Sequence, residues 1–160
     1  MSETVEFAAV RAEEIKAGFN QLLERLRAQS KIVLLDAEGL ESFVMDGGDG
    51  MVLFTQEPDQ QPETWDVAVI LPEVLKLTGD RLRAAIITPE LARKEKARFG
   101  ITRWPSLVFV RDGGYVGAIE GMRNWDEYTR EIAEMLDRPI GRAPSVGIPV
   151  TAVGEVSACH

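Results

Sequence analysis

The chain has 160 residues, enough for one domain with a proper core and too few for two comfortable ones. Apolar residues make up 45% and charged residues 28%, a globular balance, and no apolar run approaches the ~20 residues that span a bilayer. The net charge of −8 argues against nucleic acid or an anionic membrane surface as partner.

The N-terminus, MSETVEFAAVRAEE, carries early acids and no apolar core of a secretory signal. The lone Cys159 cannot form an internal disulfide, so the cytoplasm is the expected compartment. Ile15, Phe19, Leu22, Leu23 and Leu26 recur at helical spacing and predict an amphipathic helix over 11–28. Lys31 to Leu35 reads as a short buried strand, and Asp36 stands where a cap belongs, ahead of a helix bearing Leu40, Phe43 and Val44. The run from Asp46 to Gly50, with three glycines, predicts a turn before an apolar strand, Met51–Thr55.

Residues 56–66 read as a polar loop with two prolines and four acids, followed by a helix over 67–78 with Pro72 inside it. Leu82–Ile87 is the third strand. Thr88 and Pro89 open a helix over 89–98. Leu107–Val110 and Tyr115–Ile119 form a hairpin about Asp112-Gly113-Gly114. Asn124 to Glu127 has the spacing of a capping box for a last helix, with Trp125, Tyr128, Ile132 and Met135 on its buried stripe. The order of elements predicts an α/β domain with a mixed sheet covered on both faces. Its expected bounds are 1–138, with 139–160 a Pro/Gly-rich tail that is flexible or laid along the surface.

Charge is unevenly placed. Residues 32–75 hold ten acids and no Lys or Arg, whereas 76–111 hold nine basic residues against Asp80, Glu90 and Glu95. The first span predicts a field attractive to cations, and the two together could complement each other between copies in a homodimer. Catalysis finds little footing: the one histidine is the terminal His160, no His/Cys cluster offers metal ligation, and the phosphate-binding Gly-Lys motif is absent. Neither a cofactor nor a metal is expected.

From Phe99 to about Leu136 the chain resembles thioredoxin: Phe99-Gly100-Ile101, Pro105-Ser106-Leu107, the Asp112–Gly114 turn and Gly121 fall in its pattern. The resemblance implies a three-layer α/β/α fold with a mixed central sheet, an extra N-terminal helix and a cis bond ahead of Pro105. It places the redox Cys-x-x-Cys on Thr64-Trp65-Asp66-Val67, where no thiol stands, so disulfide exchange has no nucleophile.

With its acidic loop, its Phe-Gly-Ile-x-Arg-Trp-Pro segment and its Pro-rich tail, the sequence is similar over residues 15–138 to the hydrogenase expression/formation accessory family, HupG and HyaE. That likeness implies a chaperone without enzymatic activity that binds the twin-arginine signal peptide of a [NiFe] hydrogenase small-subunit precursor. The residues expected to bind it are Glu57, Asp59, Glu63 and Asp66 for the guanidinium groups, with Trp65, Trp104 and Pro105 as an apolar shelf.

Overall fold

A computed structural model describes residues 2–79 and 81–145. The elements in chain order are α1 (Ser2–Gln29), β1 (Ile32–Leu35), α2 (Ala37–Met45), β2 (Asp49–Phe54) and α3 (Glu63–Lys76). They continue with β3 (Leu82–Ile87), α4 (Pro89–Glu95), β4 (Ser106–Arg111), β5 (Gly114–Glu120) and α5 (Trp125–Asp137). The strands form one sheet in the order β1-β3-β2-β4-β5. β1, β3 and β2 run parallel, and β4 and β5 are antiparallel to their neighbours.

Alternation along the strands sorts side chains onto two faces. Met51, Leu53, Ala84, Ile86, Leu107 and Phe109 point to the face covered by α1, α3 and α5. Val52, Phe54, Ala85, Ile87, Val108 and Val110 point to the face covered by α2 and α4. This is the three-layer thioredoxin-like arrangement with an additional N-terminal helix.

The helix starts follow from side-chain acceptors. Asp36 receives the Gly39 N–H at 2.7 Å, Thr88 receives Leu91 N–H at 3.3 Å, and Asn124 with Glu127 completes a reciprocal capping box. Several boundaries depart from the sequence reading, among them the end of α4 at Glu95 in place of residue 98. α1 begins at Ser2, because Glu and Ala favour helix and Val5, Ala8 and Ala12 prolong the stripe of Ile15 and Phe19. α3 begins at Glu63, so Glu63, Trp65 and Asp66 lie on a helix and not in the loop. Pro62 precedes that helix and two acids occupy its first turn, where the dipole favours them.

The glycine-rich turn is also shorter than expected, for Asp49 and Gly50 already pair with β3 and β4. Gly50 is required there by proximity: a Cβ would sit 2.8 Å from the Phe43 ring and 3.1 Å from both Arg83 and Val110. Gly50→Ala should cost about 1–2 kcal/mol of stability by overpacking, read from urea unfolding midpoints.

Trp125 differs too. It is 44% exposed at the first position of α5, while Tyr128, Ile132 and Met135 carry the buried stripe. Its place one turn ahead of the others lifts it off the core. Of the segment expected as a tail, residues 139–145 are described and 146–160, with Cys159 and His160, lie outside the described residues. Gly141 bridges to Tyr115, its N–H donating to the Tyr115 carbonyl at 2.7 Å, so this stretch lies along part of the β5 edge.

Candidate functional site

β2 and β3 lie side by side with Phe54 opposite Ile87, yet their exits diverge. β2 leads to α3 on one face and β3 to α4 on the other. Where adjacent parallel strands send their connections to opposite faces, a crevice opens at their carboxyl ends. Here it is a cavity of about 120 Å³, walled by Phe19 and Leu23 of α1, Pro58 of the connecting loop and Pro89 of α4, with Lys16 and Glu57 among its polar lining.

The loop between β2 and α3 is fastened from several sides. Thr55 Oγ1 donates to the Ile87 carbonyl at 2.7 Å, and the Gln56 N–H donates to Thr64 Oγ1 at 3.2 Å. Gln60 and Gln61 turn back to donate their N–H groups to the Glu57 carbonyl at 3.0 and 2.8 Å. Arg93 of α4 donates to Gln56 Oε1 at 2.9 Å and stands 3.6 Å from the Glu57 carboxylate, a loose ion pair. The arrangement sets a carboxylate beside apolar walls, suited to a long cationic side chain whose stem lies on the walls.

The other expected residues are distributed around this edge. Asp59 has one carboxylate oxygen, Oδ1, buried without a hydrogen-bond partner among the described residues. Glu63 accepts from Gln61 Nε2 at 2.6 Å, and Asp66 is exposed on the first turn of α3. Trp65 packs against α1, its ring 5.6 Å from that of Phe19. Trp104, expected on the same shelf, packs into the apolar cluster on the opposite face of the sheet. The Trp104–Pro105 bond is cis, and Ser106 pairs with Phe54, so Pro105 stands at the carboxyl end of β2. Glu57, the start of α3 and Pro105 therefore gather at one end of the domain.

Glu120 went unmarked in the sequence. One of its oxygens, Oε1, receives Thr102 N–H at 2.6 Å, Arg103 N–H at 3.0 Å and the Thr102 hydroxyl at 3.1 Å, tethering the approach to Pro105. Nothing local distinguishes it from other strand-end glutamates, because its partners are donated by a loop 17 and 18 residues earlier.

The uneven charge is partly settled inside the chain. Glu41 pairs with Arg98, Asp49 with Arg81 and Arg111, Glu57 with Arg93, and Glu73 with Lys76. Four acids of the 32–75 span are thus answered by the basic segment that follows it. Among the described residues Asp36, Glu38, Asp46, Asp59, Glu63 and Asp66 make no ion pair. Of the expected acids only Glu57 lines the crevice; Glu63 and Asp66 stand on the first turn of α3 and Asp59 in the loop ahead of it. No helix among the described residues is long and apolar enough to cross a membrane.

Comparison with known proteins gives one consistent result. The family of hydrogenase-1 expression protein HyaE matches residues 22–128. The hydrogenase expression/formation protein HoxO of Cupriavidus necator is 39% identical over 141 residues, covering 87% of this chain and 88% of its own. HupG of Rhizobium leguminosarum, also a hydrogenase expression/formation protein, is 31% identical, covering 83% and 88%. A crystal structure of a HupG hydrogenase expression/formation protein from Rhodopseudomonas palustris is 32% identical, with a TM-score of 0.47, covering 67% of this chain and 99% of that one.

Proposed function

Because the chain belongs to the HyaE family of hydrogenase expression proteins, we propose that it is a non-catalytic, cytoplasmic chaperone of [NiFe] hydrogenase maturation. In this reading it holds the twin-arginine export signal of a small-subunit precursor until assembly is complete. The observation that carries the reading is Glu57, set at the crevice and held only loosely by Arg93 at 3.6 Å. A loose, partly exposed pair of this kind is worth on the order of 1 kcal/mol, so an incoming guanidinium can displace Arg93 at little cost.

The incoming group has a better geometry available. An arginine reaching over Pro58 and Pro89 can form the planar, bidentate pair that a carboxylate accepts, whereas lysine offers a single point charge. Asp59, Glu63 and Asp66 add negative potential along the same edge, which favours the encounter at low salt. Trp65 and Pro105 border this end of the fold, whereas Trp104 is packed on the other face of the sheet, away from the crevice.

Titration calorimetry with a synthetic peptide containing two adjacent arginines tests this. Glu57→Gln should weaken binding about tenfold at low salt, and a two-lysine peptide should bind the unaltered protein more weakly. Equal affinities for wild type and Glu57→Gln would remove the crevice from the mechanism. A dimer held by complementary charge is the competing reading, and the internal pairing of Glu41, Asp49, Glu57 and Glu73 speaks against it.

A further inference from the structure

A cavity of about 540 Å³, several times the volume of the crevice, lies beside the edge strand β1. Its origin is a step in the sheet. Ile32, the first residue of β1, pairs with Ala84, so Leu82 and Arg83 of β3 run on past the foot of β1 with no strand on that side. Val33 and Leu35, alternate residues of β1 that share a face, form the floor, and Val33 is left 43% exposed. Gly39, Ser42, Phe43 and Asp46 recur at helical spacing and make one face of α2 the opposite wall. Leu75, near the end of α3, closes the foot.

The lining is apolar apart from a few groups, and its charges are Lys31 and Arg83 against the exposed Asp46. Glu38 and Glu41 of α2 lie outside it. The sign runs against the net charge of −8 of the whole chain. Among the described residues neither cation makes an ion pair. The half-buried Arg83 places its guanidinium 4.4 Å from the centre of the Phe43 ring. It donates to the Phe43 carbonyl at 2.9 Å and to those of Asp46 and Gly48 at 3.4 Å, while its Nε N–H is buried without an acceptor among the described residues. α2 has no basic residue in its last turn, so carbonyl dipoles at that end answer part of the Arg83 charge. No carboxylate answers the rest. Such a guanidinium suits a carboxylate, which accepts short charge-assisted hydrogen bonds, and the walls suit a hydrocarbon body.

We infer that this cavity binds an aliphatic monocarboxylate of the medium-chain fatty acid class, its head at Arg83 and Lys31 and its chain along Val33 and Leu35 beneath α2. By register Arg83 stands one step below the Ile32–Ala84 pair and Leu35 three steps above it, a rise of about 13 Å, which accommodates such a chain extended. The head would lie at the amino ends of the strands, the end opposite to the crevice, so the inference does not depend on how the crevice is used.

Titration calorimetry with octanoate, and with octan-1-ol as its uncharged counterpart, tests it. The wild-type protein should bind octanoate at least tenfold more tightly than the alcohol. Arg83→Met should bring octanoate down to the affinity of the alcohol. Ser42→Phe, which directs a ring into the cavity from an exposed position, should weaken octanoate at least tenfold and melt at the same temperature; it decides the matter if Arg83→Met does not fold. Equal affinity of the wild type for acid and alcohol, no saturable binding of octanoate, or undiminished binding by either folded variant would overturn the inference. So would a wild-type dimer in sedimentation equilibrium that Ser42→Phe makes monomeric, which would turn the cavity into a contact between copies.

Discussion

Asp49→Asn should destabilise the protein by about 3 kcal/mol at neutral pH, measured by urea unfolding. Asp49 begins β2 with its side chain only 12% exposed, and it accepts from the Arg111 and Arg81 guanidinium groups, the latter at 3.0 Å. Those arginines do more than answer its charge. Arg111 donates to the carbonyls of Met135, Leu136 and Arg138, and Arg81 donates to that of Leu136 at 2.9 Å. α5 has no basic residue in its last turn, so the two guanidinium groups supply both the hydrogen bonds and the positive charge its C-terminus needs. Without the carboxylate, two cations are left facing each other at the foot of the helix.

The pH dependence follows from the same geometry. Burial pushes the Asp49 carboxyl up, but the hydrogen bonds and charges of Arg111 and Arg81 outweigh burial and hold it below its ordinary value of 3.8. A carboxyl depressed in the folded state contributes stability that is fully present above its unfolded pKa and disappears as pH falls through the lower folded value. The stability gap between wild type and Asp49→Asn should therefore stay constant down to about pH 4–5 and close below that. A gap that persists at the acid end would assign the effect to side-chain shape and not to charge.

Phe54→Ala should cost about 4 kcal/mol. Phe54 is 0% exposed at the end of β2 and meets Phe99 edge-on, with ring centroids 5.5 Å apart. Removing it leaves a cavity between the sheet and α4 and forfeits the aromatic pair, which is worth about 0.5–1.5 kcal/mol beyond its burial. Phe54→Leu refills most of the volume and should cost well under half as much. Chemical unfolding of both variants gives the comparison. The effect has a functional side, since Phe54 anchors the strand from which the Glu57 loop departs and against which Ser106 pairs.

Strands and caps were legible in the sequence because their signals are local. Leu82–Ile87 is an unbroken apolar run between polar ends, and Asp36, Thr88 and Asn124 each carry their acceptor at the helix start. The start of α3 is hidden in the sequence because Pro62 and the acids beside it look like loop, while the same residues suit a helix entrance. The candidate site was legible only in part. Its position follows from strand order and from the exits of β2 and β3, which no run of residues announces. Asp49 and Glu120 were invisible as structural centres, since their partners lie 17 to 62 residues away and meet them only in the folded sheet.

Thr64 and Val67, on which the thioredoxin resemblance places the redox cysteines, are closed positions. Thr64 is 0% and Val67 1% exposed, and the Thr64 hydroxyl is committed to the Gln56 N–H. Sulfur installed at both places would be sealed from any incoming disulfide and, shielded from water, would resist ionisation. What serves thiol chemistry elsewhere as an open working corner is here closed masonry. A pair of cysteine substitutions would therefore not make this protein an oxidoreductase.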